Sequence, residues 1–113
     1  MEAPLLREAV DAWSPREVAE ALAAGERLLL LDVRLPWERM AAELPNAVWI
    51  PLHELPTRLA ELPERHLVVP FCHIGLRSAE AAAYLRRKGF RAVNLAGGID
   101  AWSREVDASV ARY

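Results

Sequence analysis

Residues 67–88 read LVVPFCHIGLRSAEAAAYLRRK, and the pattern of this stretch decides the fold. The apolar run from Leu67 to Phe71 is typical of a short strand that is buried on both faces of a parallel sheet. The alanine-rich run from Ser78 to Lys88 predicts a helix, with Ser78 able to cap it. Cys72 lies in the loop between the two and is the single cysteine of the chain.

The same alternation continues on both sides of this segment. Apolar runs predict further strands at residues 28–33, 47–50 and 92–95, and helical patterns cover residues 14–25, 36–42, 52–62 and 99–106. Pro56 is expected to kink or divide the 52–62 segment. Short connections between alternating elements predict an α/β fold, with a doubly wound, mainly parallel sheet of four to five strands and helices on both faces.

Two local departures from regular structure are also expected. Pro70 removes a hydrogen-bond donor from its strand, which predicts an irregularity in the sheet. The last residues, 107–113, are expected to be poorly ordered. We interpret residues 1–113 as one domain, with a core at about 14–104 and a C-terminal tail at 105–113.

Composition excludes several classes of function. The chain has 113 residues, of which 53% are hydrophobic, and a net charge of −2, so it has no general attraction to nucleic acid. No apolar run approaches the ~20 residues of a membrane helix, and residues 1–13 do not resemble a signal peptide. A single cysteine cannot form an internal disulfide, which favours the cytoplasm. No Cys/His spacing typical of a metal site is present, and we expect neither a metal nor another cofactor.

The loop after the third strand is suited to a reactive thiol. Ligands of open parallel sheets bind beyond the carboxyl ends of the strands, where Cys72 is expected. Loop N–H groups and the following helix N-terminus favour an anion and increase the thiolate fraction of a cysteine. Gly75 allows a positive φ angle, Arg77 adds a cation, and Ser78 offers a hydroxyl. A lone cysteine is often only an apolar core residue, but its position here favours a nucleophile.

The sequence resembles the single-domain rhodaneses, a family of sulfurtransferases. The resemblance runs from about Ser14 to Trp102 and includes LLLLDVRLPWE, NAVWIPL and VVPFCHIGLRSAEAAAYLRRKGFRAVNLAGGIDAW. The most specific parts are the Cys-x-x-Gly-x-Arg-Ser loop and the segment from Leu95 through Gly97-Gly98 to Trp102. The chain departs from the usual Gly-His-Ile-Pro-Gly-Ala pattern at residues 42–47. Glu43 replaces the histidine, and Asn46 replaces the second glycine but can adopt its left-handed conformation.

The resemblance implies an activity for Cys72. The thiolate would take a sulfane sulfur from a small donor such as thiosulfate, become a persulfide, and pass the sulfur to a thiophilic acceptor. The acceptor would be cyanide in an assay, and a thiol or a sulfur-relay protein in the cell. The substrate-binding loop would comprise His73, Ile74, Gly75, Leu76, Arg77 and Ser78.

Three other interpretations of the loop remain open. The domain could be a sulfur carrier or regulatory binding module with little turnover alone, since a fold does not fix a function. Arsenate reduction and phosphatase chemistry are the other two. Four residues separate Cys72 from Arg77, whereas the loop of the related phosphatases is one residue longer, and the shorter loop favours sulfur over phosphate.

Several residues outside the loop are candidates for supporting roles. Asp32 and Arg34 follow a strand and are expected near the same sheet edge, either as a structural ion pair or as support for the site. The spacing of Arg34 and Glu38 predicts a salt bridge. The aromatic side chains of Trp37, Trp49 and Trp102 are expected in the core or the pocket wall, while Ile74 and Leu76 are expected at the pocket mouth.

Overall fold

The computed structural model describes residues 10–113, and every strand pairing within them is parallel. The strands are β1 (Ala12–Trp13), β2 (Leu28–Asp32), β3 (Val48–Trp49), β4 (Leu67–Phe71) and β5 (Asn94–Leu95). β2 lies between β3 and β4, and β1 pairs with β5. A single bridge between Val68 and Ala92 joins the two groups. The predicted parallel α/β architecture is therefore confirmed.

The helices begin and end close to the predicted positions. They are α1 (Pro15–Ala23), α2 (Pro36–Ala41), α3 (Leu76–Arg87) and α4 (Gly98–Glu105). A capping box between Ser14 and Glu17 begins α1, as predicted. The segment around Pro56 forms two short 3₁₀ helices, Leu52–Thr57 and Leu59–Glu61. Asn46 adopts a left-handed conformation with φ of 64°.

Pro70 explains where the sheet divides. On one side of β4, all five residues pair in register with β2, including Pro70 with Leu31. On the other side, the N–H and C=O of Val68 bond to the segment before β5. Backbone groups alternate in direction along a strand, so the missing N–H of Pro70 falls on this second side. Here β5 leaves β4, and the N–H of Asn94 bonds to the carbonyl of Asp11 beside β1. The predicted irregularity is the boundary between the two groups of strands.

The sheet separates two apolar clusters, because neighbouring residues of β2 and β4 point to opposite faces. On one face the cluster includes Leu30, Val69 and Phe71 from the strands, with residues of α1 and α4, namely Val18, Ala21, Ile99 and Trp102. On the other face Leu31, Val68 and Cys72 pack with Leu55 of a 3₁₀ helix and with Ala81, Ala82 and Leu85 of α3. Helices thus cover both faces, as the doubly wound arrangement requires.

The C-terminal segment packs against the domain, so the prediction of poor order at residues 107–113 is wrong. Val110 is buried in the first apolar cluster, and its carbonyl accepts a hydrogen bond of 2.6 Å from Ser103 Oγ. Arg112 Nε donates to Asp100 Oδ1 at 2.8 Å. The composition of this segment did not indicate these anchors, which bring Tyr113 to the carboxyl edge of the sheet.

No helix within residues 10–113 is long and apolar enough to span a membrane. Residues 1–9, which carry most of the segment considered as a possible signal peptide, lie outside the described residues. The same holds for the first part of the interpreted domain.

Candidate active site

Cys72 lies directly after β4, at the carboxyl edge of the sheet, as the sequence predicted. Its side chain is buried, with only 1% of the residue exposed. The loop that follows turns back over the sulfur and leads into α3. The thiol is therefore held between the end of the central strand and the beginning of a helix.

Three hydrogen-bond donors converge on the sulfur atom. The N–H of Gly75 lies 3.2 Å from Sγ, the N–H of Ser78 lies 3.4 Å away, and Ser78 Oγ lies 3.3 Å away. Gly75 reaches this geometry with φ of 103°, a conformation that L-residues with a side chain rarely adopt. Two of these donors are free N-terminal groups of α3, so the sulfur occupies the place of a capping group.

This geometry corrects the expected role of Ser78 as a helix cap. The helix begins at Leu76, two residues earlier than predicted, because left-handed Gly75 occupies the N-cap position. Ser78 is consequently within the first turn and fully buried. Its hydroxyl is directed to Cys72 Sγ and to Asn94 Oδ1, rather than to the backbone of the helix end.

The carbonyl groups of the loop are held away from the sulfur. The N–H groups of Ile99 and Asp100, at the start of α4, donate to the carbonyls of Cys72 and His73 at 2.9 and 3.1 Å. Asn94 Nδ2 donates to the carbonyl of Gly75 at 3.0 Å. A Cβ atom on Gly98 would lie 2.5 Å from both the Cys72 and the His73 oxygen, so this close approach requires glycine. The loop thus presents N–H groups to the sulfur and carbonyls to its surroundings.

These contacts change the ionisation of the thiol. Burial raises the pKa of Cys72, but the hydrogen bonds from Ser78 Oγ, Ser78 N and Gly75 N, with the positive charge of Arg77, more than offset it. The net effect lowers the pKa below that of an ordinary cysteine. A lower pKa gives a larger thiolate fraction near neutral pH.

Arg77 is held by Glu38 of α2. Its two terminal nitrogens lie 2.6 and 2.7 Å from the two carboxylate oxygens, which is a bidentate pair. Glu38 also accepts from the backbone N–H of Leu35 at 3.0 Å and from the hydroxyl of Tyr113 at 2.8 Å. Burial raises the pKa of Glu38, but these bonds outweigh it and hold the pKa at about 2. Arg77 therefore ties the loop to α2.

Asp32 and Arg34 form a buried ion pair at the end of β2. Arg34 Nε and Nη2 each lie 2.8 Å from a carboxylate oxygen of Asp32, and Arg34 is fully buried. The remaining donors of Arg34 bond to the carbonyls of Glu38 and Ala42 and to the Tyr113 hydroxyl. The predicted salt bridge between Arg34 and Glu38 is wrong, because Arg34 contacts only the backbone oxygen of Glu38 while its carboxylate binds Arg77.

Tyr113 joins the site although its sequence position gave no indication of this. Its ring stacks on His73, the residue after the cysteine, with ring centroids 4.1 Å apart and an angle of 15°. Trp37 packs edge-on against the same tyrosine at 5.7 Å. Burial raises the pKa of Tyr113 to about 12, with the donor from Arg34 acting in the opposite direction. The hydroxyl therefore stays protonated and donates to Glu38.

Exposed apolar side chains are concentrated on the loop and on α2. Ile74 is 53% exposed and Leu76 73%, and their location at a pocket mouth stays a prediction. Leu35, Trp37 and Met40 are also exposed. Trp102 is buried, as one of the two expected locations requires, whereas Trp37 is outside the core and packs on Tyr113 beside the cysteine loop. Trp49 is half-buried and donates its Nε1 hydrogen to the Arg34 carbonyl at 2.9 Å.

The residues that the sequence interpretation missed are Asn94, Gly98 and Tyr113. Asn94 and Gly98 lie in the segment that carries the resemblance, but only the folded chain places them against the cysteine loop. A polar residue in an otherwise apolar strand was the available indication for Asn94. Within residues 10–113, the His, Cys, Asp and Glu side chains form no group of three or more able to hold a metal ion.

The chain is similar to known proteins over most of its length. The Rhodanese-like domain family matches residues 14–105. A sulfurtransferase of Allochromatium vinosum is 42% identical over 96 residues, covering 84% of this chain and 90% of that protein. The probable adenylyltransferase/sulfurtransferase MoeZ of Mycobacterium tuberculosis is 39% identical over 103 residues, but the match is only 26% of that protein. The human single-domain sulfurtransferase TSTD1 superposes with a TM-score of 0.76 at 31% identity, covering 85% of this chain and 97% of that one.

Proposed function

The chain belongs to the rhodanese-like domain family, and from that membership we propose that it transfers sulfane sulfur through a persulfide on Cys72. One observation carries the proposal. Three potential hydrogen-bond donors, the N–H groups of Gly75 and Ser78 and the Ser78 hydroxyl, lie within 3.4 Å of the Cys72 sulfur, while the carbonyls of the same loop are turned away from it. Donors arranged in advance around a sulfur anion stabilise negative charge as it forms there.

The proposed reaction has two displacement steps. The Cys72 thiolate attacks the outer sulfur of thiosulfate, a sulfur–sulfur bond forms, and sulfite leaves with the electron pair of the broken bond. Cyanide or a thiol then attacks the outer sulfur of the persulfide, and the Cys72 thiolate leaves with the electron pair. The thiolate is the nucleophile of the first step and the leaving group of the second. The lowered pKa of Cys72 increases the thiolate fraction available to attack and makes the thiolate a better leaving group. Neither step requires a metal or an organic cofactor.

The rest of the loop has supporting roles in this proposal. The backbone of residues 73–78 forms the wall around the transferred sulfur, with Ile74 and Leu76 at the rim. Arg77 contributes positive potential to the sulfur but braces the loop through Glu38, rather than reaching out to bind an anion. Asp32 and Arg34 support α2, and through it the Glu38 carboxylate.

The engagement of Arg77 argues against phosphatase or arsenate chemistry. An arginine that binds an oxyanion offers its parallel N–H groups to the anion's oxygens. Here Nη1 and Nη2 of Arg77 are taken by Glu38. The four residues between Cys72 and Arg77 also favour the smaller, sulfur-sized loop. Sulfur transfer is accordingly preferred.

The proposal is tested by following one sulfur atom. Incubation with thiosulfate should add about 32 Da to the protein, the mass of one persulfide sulfur. Addition of cyanide should remove the adduct and release thiocyanate in equal amount. Cys72→Ser should show neither adduct nor turnover. Absence of an adduct with thiosulfate and with other sulfane donors, or an adduct that persists in Cys72→Ser, would refute the proposal.

A protein acceptor is the second candidate, in which the chain acts as a sulfur carrier. The exposed apolar side chains on the loop and α2 (Leu35, Trp37, Met40, Ile74 and Leu76) favour it, since such a surface suits contact with another protein. The carrier role predicts fast persulfide formation with slow discharge to cyanide. Rapid turnover with cyanide alone would contradict it.

A free thiol nucleophile works best in a reducing compartment, so we place the activity in the cytoplasm.

A further inference from the structure

The hydroxyl of Ser78 lies between two acceptors. Its oxygen is 3.3 Å from Cys72 Sγ and 2.6 Å from Asn94 Oδ1. A serine hydroxyl has one hydrogen and can also accept hydrogen bonds. It therefore cannot donate to the sulfur and to the amide oxygen at the same time. The shorter distance indicates that Asn94 receives the hydrogen while Cys72 is a neutral thiol.

The orientation of the Asn94 amide is fixed by a second contact. Its Nδ2 donates to the Gly75 carbonyl at 3.0 Å. The reversed amide would place two acceptors against each other at Gly75, so Oδ1 has to face Ser78. The backbone N–H of Asn94 is bonded to the Asp11 carbonyl at 2.9 Å, and the residue is buried. Asn94 is thus a fixed acceptor within the sheet.

We propose that Asn94 is a positioning residue that controls where the Ser78 hydroxyl directs its hydrogen, and through it the ionisation of Cys72. In the thiol form, Cys72 donates its S–H hydrogen to Ser78 Oγ, and Ser78 donates to Asn94. When Cys72 loses its proton, the Ser78 hydroxyl rotates and donates to the thiolate. Asn94 Oδ1 then loses that hydrogen bond. No bond other than the S–H bond is broken, and the proton leaves to solvent.

The proposal implies competition between the amide oxygen and the thiolate for one hydrogen. While Asn94 accepts that hydrogen bond, it stabilises the neutral thiol and so raises the ionisation midpoint of Cys72. Removing the amide oxygen leaves the sulfur as the single acceptor of the two. The loss of one such competing bond should shift the Cys72 midpoint downward by about half to one pH unit.

Other charged groups near the site are paired and stay unchanged in the variants. Arg77 of α3 is the charge that acts on the sulfur, and it is bound to Glu38 of α2. At the end of β2, Asp32 pairs with Arg34. His73 stacks on Tyr113, and Asp100 of α4 binds Arg104 and Arg112. The predicted shift is therefore assigned to the hydrogen bonds of Ser78 and Asn94.

The test is a double-mutant cycle read by thiol alkylation. The rate of reaction with iodoacetamide, followed from pH 5 to 10, gives the ionisation midpoint of the sole cysteine, Cys72, without any sulfur transfer. Asn94→Ala and the bulkier Asn94→Leu should both lower the midpoint, and Ser78→Ala should raise it. In the Ser78→Ala background, the Asn94 substitutions should have no further effect, because the hydroxyl through which they act is absent.

A purely structural role of Asn94 in anchoring Gly75 would give another result. The Asn94 substitutions would then shift the midpoint equally with and without the Ser78 hydroxyl, and this outcome would overturn the proposal. Ser78→Thr, which restores a hydroxyl, should restore the coupling.

A second measurement keeps Asn94 in place in case its variants do not fold. Side-chain amide NMR signals of Asn94 should shift with the same pH midpoint as alkylation in the native protein, and this shift should vanish in Ser78→Ala. If the Asn94 amide signals of the native protein do not change across the pH range in which Cys72 ionises, the proposed rotation of the Ser78 hydroxyl is refuted. The inference rests on Cys72 being the reactive thiol of the proposed function. The outcomes can be separated, because the alkylation cycle can succeed even where thiosulfate gives no adduct.

Discussion

Replacing Glu38 with glutamine removes the negative charge that binds Arg77 and Tyr113, while it keeps the size of the side chain. In the native protein, only 2% of Glu38 is exposed, and its carboxylate accepts two bonds from Arg77, one from Tyr113 and one from the Leu35 N–H. Glutamine cannot accept all four, because its amide nitrogen is a donor. Glu38→Gln therefore leaves Arg77 without a counter-ion. It also places the side-chain N–H of the new glutamine against groups that are themselves hydrogen-bond donors.

The size of the effect follows from ionisation. The pKa of Glu38 lies at about 2 instead of 4.5, because bonds from Arg77, the Leu35 N–H and Tyr113 outweigh the burial that would raise it. This lowering of the pKa corresponds to about 3 kcal/mol of folding free energy. Arg77 is 37% exposed and can regain water in the variant. We therefore expect Glu38→Gln to cost about 3 kcal/mol at pH 7, within the range for a broken buried pair.

The sign of the pH dependence is also determined. A carboxylate whose pKa is lowered by folding stabilises the native state above its unfolded pKa, and this contribution is lost as the pH falls toward the folded value. The native protein should consequently lose this stability between pH 4.5 and about 2. Glu38→Gln should lack that part of the decline.

Urea denaturation at pH 7 and at steps down to pH 3 measures both quantities. Glu61→Gln is the matched control, since it removes an exposed carboxylate paired with Arg58 and should change stability little. If Glu38→Gln is no less stable than Glu61→Gln at pH 7, or keeps the full acid decline of the native protein, the assigned role of the Glu38 carboxylate is wrong.

Three further predictions concern the loop and its surroundings. Gly98→Ala should lower thiocyanate formation by roughly tenfold or more, because a small displacement of the cysteine loop is costly for the reaction, and should destabilise the fold more than Gly25→Ala does. Both glycines have positive φ, but only at position 98 would the Cβ meet the loop carbonyls at 2.5 Å. Equal effects in urea unfolding would contradict this. Alkylation of Cys72 should reach half-maximal rate at a pH below that of a free cysteine peptide, because the Ser78 and Gly75 donors overcome the effect of burial on its pKa. A midpoint above the peptide's would refute that balance. Tyr113→Phe should reduce stability by about 1 kcal/mol through the lost bond to Glu38 and keep the ring stacked on His73, whereas Tyr113→Ala should also increase proteolysis of the 107–113 segment. Identical protease patterns for the two variants would argue against the stacking contact.

The order of elements could be predicted because each rests on local patterns. The β4–loop–α3 unit can be predicted from an apolar run, a glycine and an alanine-rich segment, all within residues 67–88. The effect of Pro70 could also be anticipated, although not the side of the strand on which the missing donor would fall. That side is fixed by pairing of β4 with β2, which no local pattern encodes.

The partners of the charged residues could not be predicted. Spacing along the chain favoured Arg34 with Glu38, but Arg34 turns back to Asp32 two residues before it, and Glu38 meets Arg77 from a distant part of the sequence. The helix α3 begins earlier than predicted for a similar reason. Ser78 is a good cap in isolation, but the sulfur of Cys72 takes that place once the loop closes. Such choices depend on which long-range contacts form.

The two arginines beside the cysteine loop are each neutralised by a carboxylate. Arg34 is matched by Asp32 and Arg77 by Glu38, so each cation has its anion within 3 Å. Opposite charges this close produce little field beyond a few ångströms in water, and salt weakens it further. These ion pairs therefore give an anionic sulfur donor little long-range attraction during diffusion. The oriented N–H groups around Cys72 act only at short range. Selection among sulfur donors and sulfur acceptors therefore takes place once the molecule is bound at the site, and it rests on shape and on these local dipoles.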